Sequence, residues 1–377
     1  MNIHQLTTPA LLVDLEVLER NLVFMQDRAD DLKVALRPHI KTHKCIEIAK
    51  RQRELGARGI SVSTFYEAEQ FALAGFDDIT WAFPIPLVYA SKALGLCERA
   101  TIRVTIDGLE ACEYLERMCA EEEKKVHVWL KVDAGYNRAG VAPHSPYAEK
   151  LVRTLNESKG LIFDGILAHS GSSYEARSRD QITPHADRER SVMVEFAEQM
   201  RAKGYLVPAI SIGSTPAMHV VQNLDGVTEV RPGNYIFHDY TQTAIGSCRP
   251  ADCALSVLAS VISHQPGAAH FLIDAGALAL SKDAGPVYTK SDAGIGAIYE
   301  DYRAGSFRAG IGIKSLSQEI GKVVALDGAS IEGCYRVGER MRVLPNHACL
   351  TTPNFDRYHV VRGDEVVDEW QILRGRA

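Results

Sequence analysis

The chain has 377 residues, 46% of them apolar and 24% charged, with a formal net charge of −6. That length exceeds one small core and fits a large barrel with an appendage. The acidic balance argues against a nucleic-acid or membrane-surface partner, which would need a basic patch, and no apolar run approaches the ~20 residues of a membrane span.

Met1 to Pro9 lacks a basic-then-apolar leader. The eight cysteines follow no framework spacing, which fits reduced thiols and a cytoplasmic location. From Ala10 to about Tyr235, short β-branched runs alternate with amphipathic stretches. The runs are Ala10–Val13, Val34–Leu36, Gly59–Val62, Ile79–Ala82, Thr101–Ile106, Val126–Val132, Leu161–Ala168, Ala209–Ile212 and Val227–Val230. Leu15, Leu18, Leu22 and Met25 share the spacing of one buried helix face, and Asp14 is placed to cap that helix. Such alternation predicts a parallel sheet, and eight units close a (β/α)₈ barrel. The first run is surplus and is expected outside it. After Gly246 the pattern turns to strands, at Ala254–His264, His270–Ile273, Gly321–Leu326, Arg340–Leu344 and Tyr358–Val361. Asp327-Gly328 and Gly363-Asp364 mark turns. The expected division is an α/β barrel over 20–246 and a β domain formed by 1–19 with 247–377.

Polar residues cluster where barrel strands end, the rim on which active sites are built. Val34–Leu36 runs into Arg37, Pro38, His39, Ile40, Lys41, Thr42, His43 and Lys44. Nearby cations disfavour the ammonium of Lys41 and suit it to Schiff-base chemistry, although the segment alone also reads as a solvated basic turn. Val126–Val132 leads to Asp133 and Arg138; alone, Arg138 reads as a surface arginine. Leu161–Ala168 leads to His169, Ser170 and Tyr174. Gly213-Ser214-Thr215 alone reads as a capped loop, but with Gly233-Asn234 at the neighbouring strand end the pair suits a phosphate. His347 and Cys349 lie two apart after Arg340–Leu344. In an extended segment they would face one way, and nitrogen with sulfur suits Zn²⁺. The bland alternative is a packed cysteine beside an exposed histidine.

In this order the segments resemble the D-serine dehydratase and D-threonine aldolase family of pyridoxal 5'-phosphate (PLP) enzymes, which share the alanine racemase-like N-terminal barrel. The resemblance runs from Thr8-Pro9-Ala10-Leu11 through Arg37-Pro38-His39-Ile40-Lys41-Thr42-His43-Lys44 to Pro345-Asn346-His347-Ala348-Cys349. It implies that Lys41 carries the cofactor beside His39 and His169, that Arg138 faces the pyridine nitrogen, and that Tyr174 lines the pocket. It also implies that Ser214, Thr215, Gly233, Asn234 and Tyr235 hold the phosphate. His347 and Cys349 become expected zinc ligands, since the family's dehydratases carry histidine-x-cysteine where its aldolases carry histidine-x-aspartate. The implied activity is loss of water from a D-3-hydroxy amino acid, giving a 2-oxo acid and ammonia. A metal-dependent retro-aldol is the rival, ahead of a racemase, which needs a second base, and of a non-catalytic PLP carrier, which would lack the β domain. A homodimer is also implied. Tyr136, Asn137 and His238-Asp239-Tyr240 depart from the family pattern near the substrate pocket.

Overall fold

A computed structural model describes residues 1–169, 171–286, 294–326, 331 and 333–375. Ser170 and the expected turn at Asp327-Gly328 lie outside the described residues. Each run expected to be extended contains a strand. The first is β1 (Ala10–Asp14), and the helix α1 (Leu15–Asp31) follows it directly. The Asp14 carboxylate accepts the Val17 N–H at 3.0 Å, and Val17, Leu18, Leu22 and Met25 turn inward. This helix is continuous across the expected boundary at residue 20.

Eight parallel strands come next: β2 (Ala35–Leu36), β3 (Ile60–Val62), β4 (Asp78–Pro84), β5 (Thr101–Ile106), β6 (Val126–Lys131), β7 (Leu161–Leu167), β8 (Ala209–Ile212) and β9 (Glu229–Val230). They lie in the order β2-β9-β8-β7-β6-β5-β4-β3. A bridge between His39 and Ser61, with the Ser61 N–H on the Pro38 carbonyl at 2.8 Å, joins β2 to β3 and closes the barrel.

The second sheet holds β10 (Leu255–Ser263), β11 (His270–Ile273), β12 (Ala297–Asp301), β13 (Ser306–Phe307), β14 (Ile311–Leu316), β15 (Gly321–Ala325), β16 (Arg340–Leu344), β17 (Arg357–Arg362) and β18 (Glu365–Gln371). Strand β1 joins this sheet, antiparallel to β10 and parallel to β17, so the surplus run does lie outside the barrel. Four strands here, β12, β13, β14 and β18, carry no clear signal in the sequence. Strand β18 shows why: it is an edge strand rich in Glu and Asp, and only Trp370 of it is buried. Among the described residues no helix is long and apolar enough to cross a membrane.

A buried charge network ties the barrel together near the N-terminal ends of its strands. Arg37, 2% exposed, donates from Nε to Glu229 of β9 at 2.8 Å and from Nη2 to Asp78 of β4 at 3.1 Å. Asp78 also pairs with Arg103 of β5, whose Nε reaches Asp164 of β7 at 2.6 Å. Gly59 must be glycine, because a Cβ there would strike the Arg37 guanidinium and come within 2.7 Å of the Asp78 carbonyl. Breaking a buried pair from one side leaves an uncompensated charge and typically costs about 3–5 kcal/mol. Arg37→Met strands Glu229 in this way and should lower the urea midpoint accordingly; a wild-type midpoint refutes the role assigned to Arg37.

Candidate active site

Four residues beyond β2 the backbone makes a single tight turn, Ile40–Thr42, that presents Lys41 at the C-terminal rim. The His39 ring nitrogen Nδ1 accepts the Lys41 N–H at 3.4 Å and caps the turn. Gly233 packs behind it, where a Cβ would lie 2.8 Å from the His39 carbonyl oxygen. Burial, reinforced by Arg138 and Arg231, holds the Lys41 ammonium below its ordinary range against the opposing pull of Cys349. Burial and then Lys41 likewise keep His39 and His169 neutral, well below the usual imidazole value.

The rim encloses a cavity of about 620 Å³. Lys41, His39, Arg138, His169, Tyr174, Ser214, Gly233, Asn234, His347 and Cys349 all line it. Thr215 and Tyr235 do not. The Thr215 hydroxyl accepts the Tyr235 N–H at 3.0 Å and Thr215 is in hydrogen-bond contact with the lining Tyr174, while the Tyr235 hydroxyl accepts from Gln52 at 2.9 Å. A buried phenol needs such a partner, and nothing local in the sequence names Gln52 as that partner. On the rim itself, the N–H groups of Gly213, Ser214, Gly233 and Asn234 meet no acceptor among the described residues. Gly213 adopts φ +99°, which favours glycine, and the Ser214 hydroxyl lies 2.8 Å from that of Ser173.

His347 and Cys349 reach the cavity from the β domain. The expected extended geometry is replaced by a helix start: His347 is the extended N-cap and Cys349 lies in the first turn of Ala348–Thr351. The two side chains are nevertheless in hydrogen-bond contact. Burial works against both charges, yet the pair sustains them. His347 is pushed up to about 11 by the Cys349 thiolate and Asp283, and the Cys349 thiol is held below its ordinary value by His347 and Lys41. His347 Nδ1 lies 3.3 Å from Asp283 Oδ2, and the Thr42 hydroxyl lies 3.2 Å from Cys349 Sγ. Among the described residues no group of three or more His, Cys, Asp or Glu side chains could hold a metal ion.

Asp239, Arg231 and Lys131 line the cavity as well, and like Asp283 they were not candidates from sequence. Asp239 is buried and accepts from Asn234 Nδ2 at 2.5 Å and from the Ala348 N–H at 3.0 Å, which welds the barrel rim to the His347 loop. Its only signal was the departure at His238-Asp239-Tyr240. Arg231, 5% exposed, donates to the Ala168 carbonyl and the Ser211 hydroxyl deep in the barrel mouth. Arg138, in contrast, is exposed, its guanidinium 5.5 Å from the Tyr136 ring centre. Lys131 of β6 is 2% exposed, and burial followed by Arg231 and Arg138 lowers its pKa to about 7.

The alanine racemase N-terminal domain family matches residues 13–241, and the putative serine dehydratase domain family matches residues 254–361. The D-threo-3-hydroxyaspartate dehydratase of Delftia sp. strain HT23 is 39% identical over 375 residues, 98% of each chain. Its solved structure superposes with a TM-score of 0.94 at 38% identity over 99% of each chain. A cysteine-to-alanine mutant of that dehydratase is described in a metal-free form. D-serine dehydratase of Dictyostelium discoideum is 35% identical over 97% of this chain and 96% of its own. D-threonine aldolase of an Arthrobacter species is 30% identical over 97% and 92%.

The depressed pKa of Lys131 has a consequence for the cofactor-free protein. Below about pH 7 the folded chain carries a buried ammonium at full cost. Between there and the ~10.4 of a free lysine, the unfolded state binds a proton that the folded state has shed. Stability should therefore rise with pH across that window. Lys131→Met should flatten the rise in denaturant midpoints from pH 7 to 10; an identical slope in the variant removes Lys131 as its source.

Proposed function

Because the chain belongs to the family of alanine-racemase-fold PLP dehydratases and aldolases, we propose that it eliminates water from a D-3-hydroxy amino acid. Candidate substrates are D-serine, D-threonine and isomers of 3-hydroxyaspartate; the products are a 2-oxo acid and ammonia. The observation that carries this reading is the meeting of Lys41 with the His347–Cys349 pair in one cavity, bridged by the Thr42–Cys349 contact at 3.2 Å.

The residues present suit PLP. The Ser214 hydroxyl and the N–H groups of Gly213, Gly233 and Asn234 would take its phosphate. For the pyridine nitrogen we assign Arg231 in place of Arg138, since Arg231 is buried in the barrel mouth and Arg138 lies exposed at the rim. An arginine there keeps its proton at neutral pH, so it would leave the ring nitrogen unprotonated and the ring a weaker electron sink. Such a sink calls for help at the leaving hydroxyl. The donor set of His347 and Cys349, nitrogen and thiolate, suits zinc better than manganese or magnesium, and two protein ligands leave positions open. When bound, PLP would supply electron withdrawal at the α-carbon, and zinc would supply Lewis-acid assistance to the departing hydroxyl.

The chain's own groups would do the rest. Lys41 Nζ, biased toward its neutral form, would take the α-proton from its side of the cavity, which sets the D preference. His39 and His169, held neutral, would donate or accept hydrogen bonds without adding charge. Tyr174 keeps its phenolic proton, because burial raises it above its ordinary range. The division into a barrel over 20–246 and a β domain over 1–19 and 247–377, and assembly as a homodimer, belong to the same proposal.

Retro-aldol cleavage is the second reading, favoured by the 30% identity to a D-threonine aldolase. Incubation with D-serine, D-threonine and 3-hydroxyaspartate isomers separates the two. Ammonia with a 2-oxo acid is expected, whereas glycine with an aldehyde hands the case to the aldolase. Lys41→Ala should abolish cofactor absorbance and cost at least about 10²–10⁴-fold in turnover. A chelator should stop ammonia release while the cofactor stays bound, and zinc should restore it; full turnover without metal sinks the zinc role. Arg231→Gln should alter the cofactor's absorption far more than Arg138→Gln does, and the reverse ranking would return the pyridine nitrogen to Arg138.

A further inference from the structure

Thr42 is fully buried, sits next to Lys41 in the same tight turn, and has its hydroxyl 3.2 Å from Cys349 Sγ in the other domain. A buried hydroxyl must find a partner. A cysteine that ligates a metal is a thiolate with no hydrogen to give, so toward a liganded Cys349 the hydroxyl is the donor. Threonine is stiff about χ1, which fixes where that hydroxyl points. The absence of a side chain at Gly233 leaves it room: a Cβ there would lie 3.1 Å from Thr42 Oγ1. A second, weaker donor approaches the same sulfur, Asn234 Nδ2 at 3.9 Å, itself braced by Asp239.

We propose that Thr42 is a positioning residue for the metal pair, donating to Cys349 Sγ and thereby fixing both the sulfur's direction and its distance from Lys41. The inference rests on the zinc reading of His347 and Cys349. Two effects oppose each other. A donor on sulfur withdraws electron density and weakens it as a ligand, yet it also holds the ligand in place before the metal arrives. With only two protein ligands, orientation is the scarcer quantity. Partners of this kind commonly carry about 10–100-fold in metal affinity, so placement outweighs the lost basicity.

The test uses full-length, PLP-loaded protein with Co²⁺ as the probe. Thr42→Val keeps the shape and removes the hydroxyl, while Thr42→Ser keeps the hydroxyl. Thr42→Val is expected to lower Co²⁺ affinity about 10–100-fold and to move the sulfur-to-cobalt charge-transfer band to longer wavelength, since the sulfur lone pair is no longer stabilised. Thr42→Ser should retain both, and unchanged cofactor absorbance should report an intact Lys41 turn. If Thr42→Val does not fold, Thr42→Ala removes the same donor. Wild-type affinity and an unmoved band in a folded variant overturn the inference alone. A wild-type protein lacking any cobalt band that Cys349→Ser abolishes overturns this inference and the zinc reading together.

Discussion

A single buried guanidinium sits where the barrel seam closes. Arg37 follows β2 and holds Glu229 on one neighbouring strand and Asp78 on another. Burying such a cluster is costly, and its attraction offsets that cost only if every member is paired. Here each is: Glu229 also takes the Ser211 hydroxyl at 2.5 Å, and Asp78 is shared with Arg103. Lys41 lies only four residues further on, separated from Arg37 by the bridge between His39 and Ser61. The turn that presents Lys41 at the rim thus begins just beyond a residue anchored in the buried charge network.

The mouth of the barrel carries both signs of charge, with Glu175, Asp239, Asp283 and Cys349 on its lining and a cluster of cations around Lys41. Lys41, Lys131, Arg138 and Arg231 line one cavity with His39 and His169. The protein reduces the repulsion by neutralising what can be neutralised: both histidines and both lysines are shifted toward their uncharged forms. Burial lowers Arg231 as well, to about 10, which leaves its charge in place at neutral pH, so the cationic side of the mouth suits an anionic group. On the function proposed above, a phosphate on backbone N–H groups and a substrate carboxylate would both suit that side.

Neither domain holds the whole site. The barrel supplies Lys41 and the loops at Gly213-Ser214 and Gly233-Asn234, and the β domain supplies His347, Cys349 and Asp283. The joint between them is polar and specific. Asp239 grips the Ala348 N–H, Thr42 meets Cys349, and the buried Tyr358 hydroxyl donates to the His43 carbonyl at 2.7 Å. These contacts span from 109 to 315 residues of chain, so the site exists only once both units have formed and docked.

The order of the barrel strands and the surplus first strand were legible in the chain, as were Lys41 and His347–Cys349 as candidates, whereas four strands of the β domain were not. Periodicity is a local property, and a strand-end cluster of polar residues advertises a rim whichever way each side chain turns. Which way each one turns was not legible. Tyr235 faces the core because Gln52, 183 residues away, waits there for its hydroxyl. Arg231 is buried at the barrel mouth because Ser211 and the Ala168 carbonyl receive it, while Arg138 on the same lining stays exposed. Cys349 stands at a helix start rather than in an extended run, because Asp239 from the barrel caps the Ala348 N–H. Sequence spacing fixes what a residue's near neighbours can do; the direction of a side chain at a junction is decided by partners that only the folded chain brings within reach.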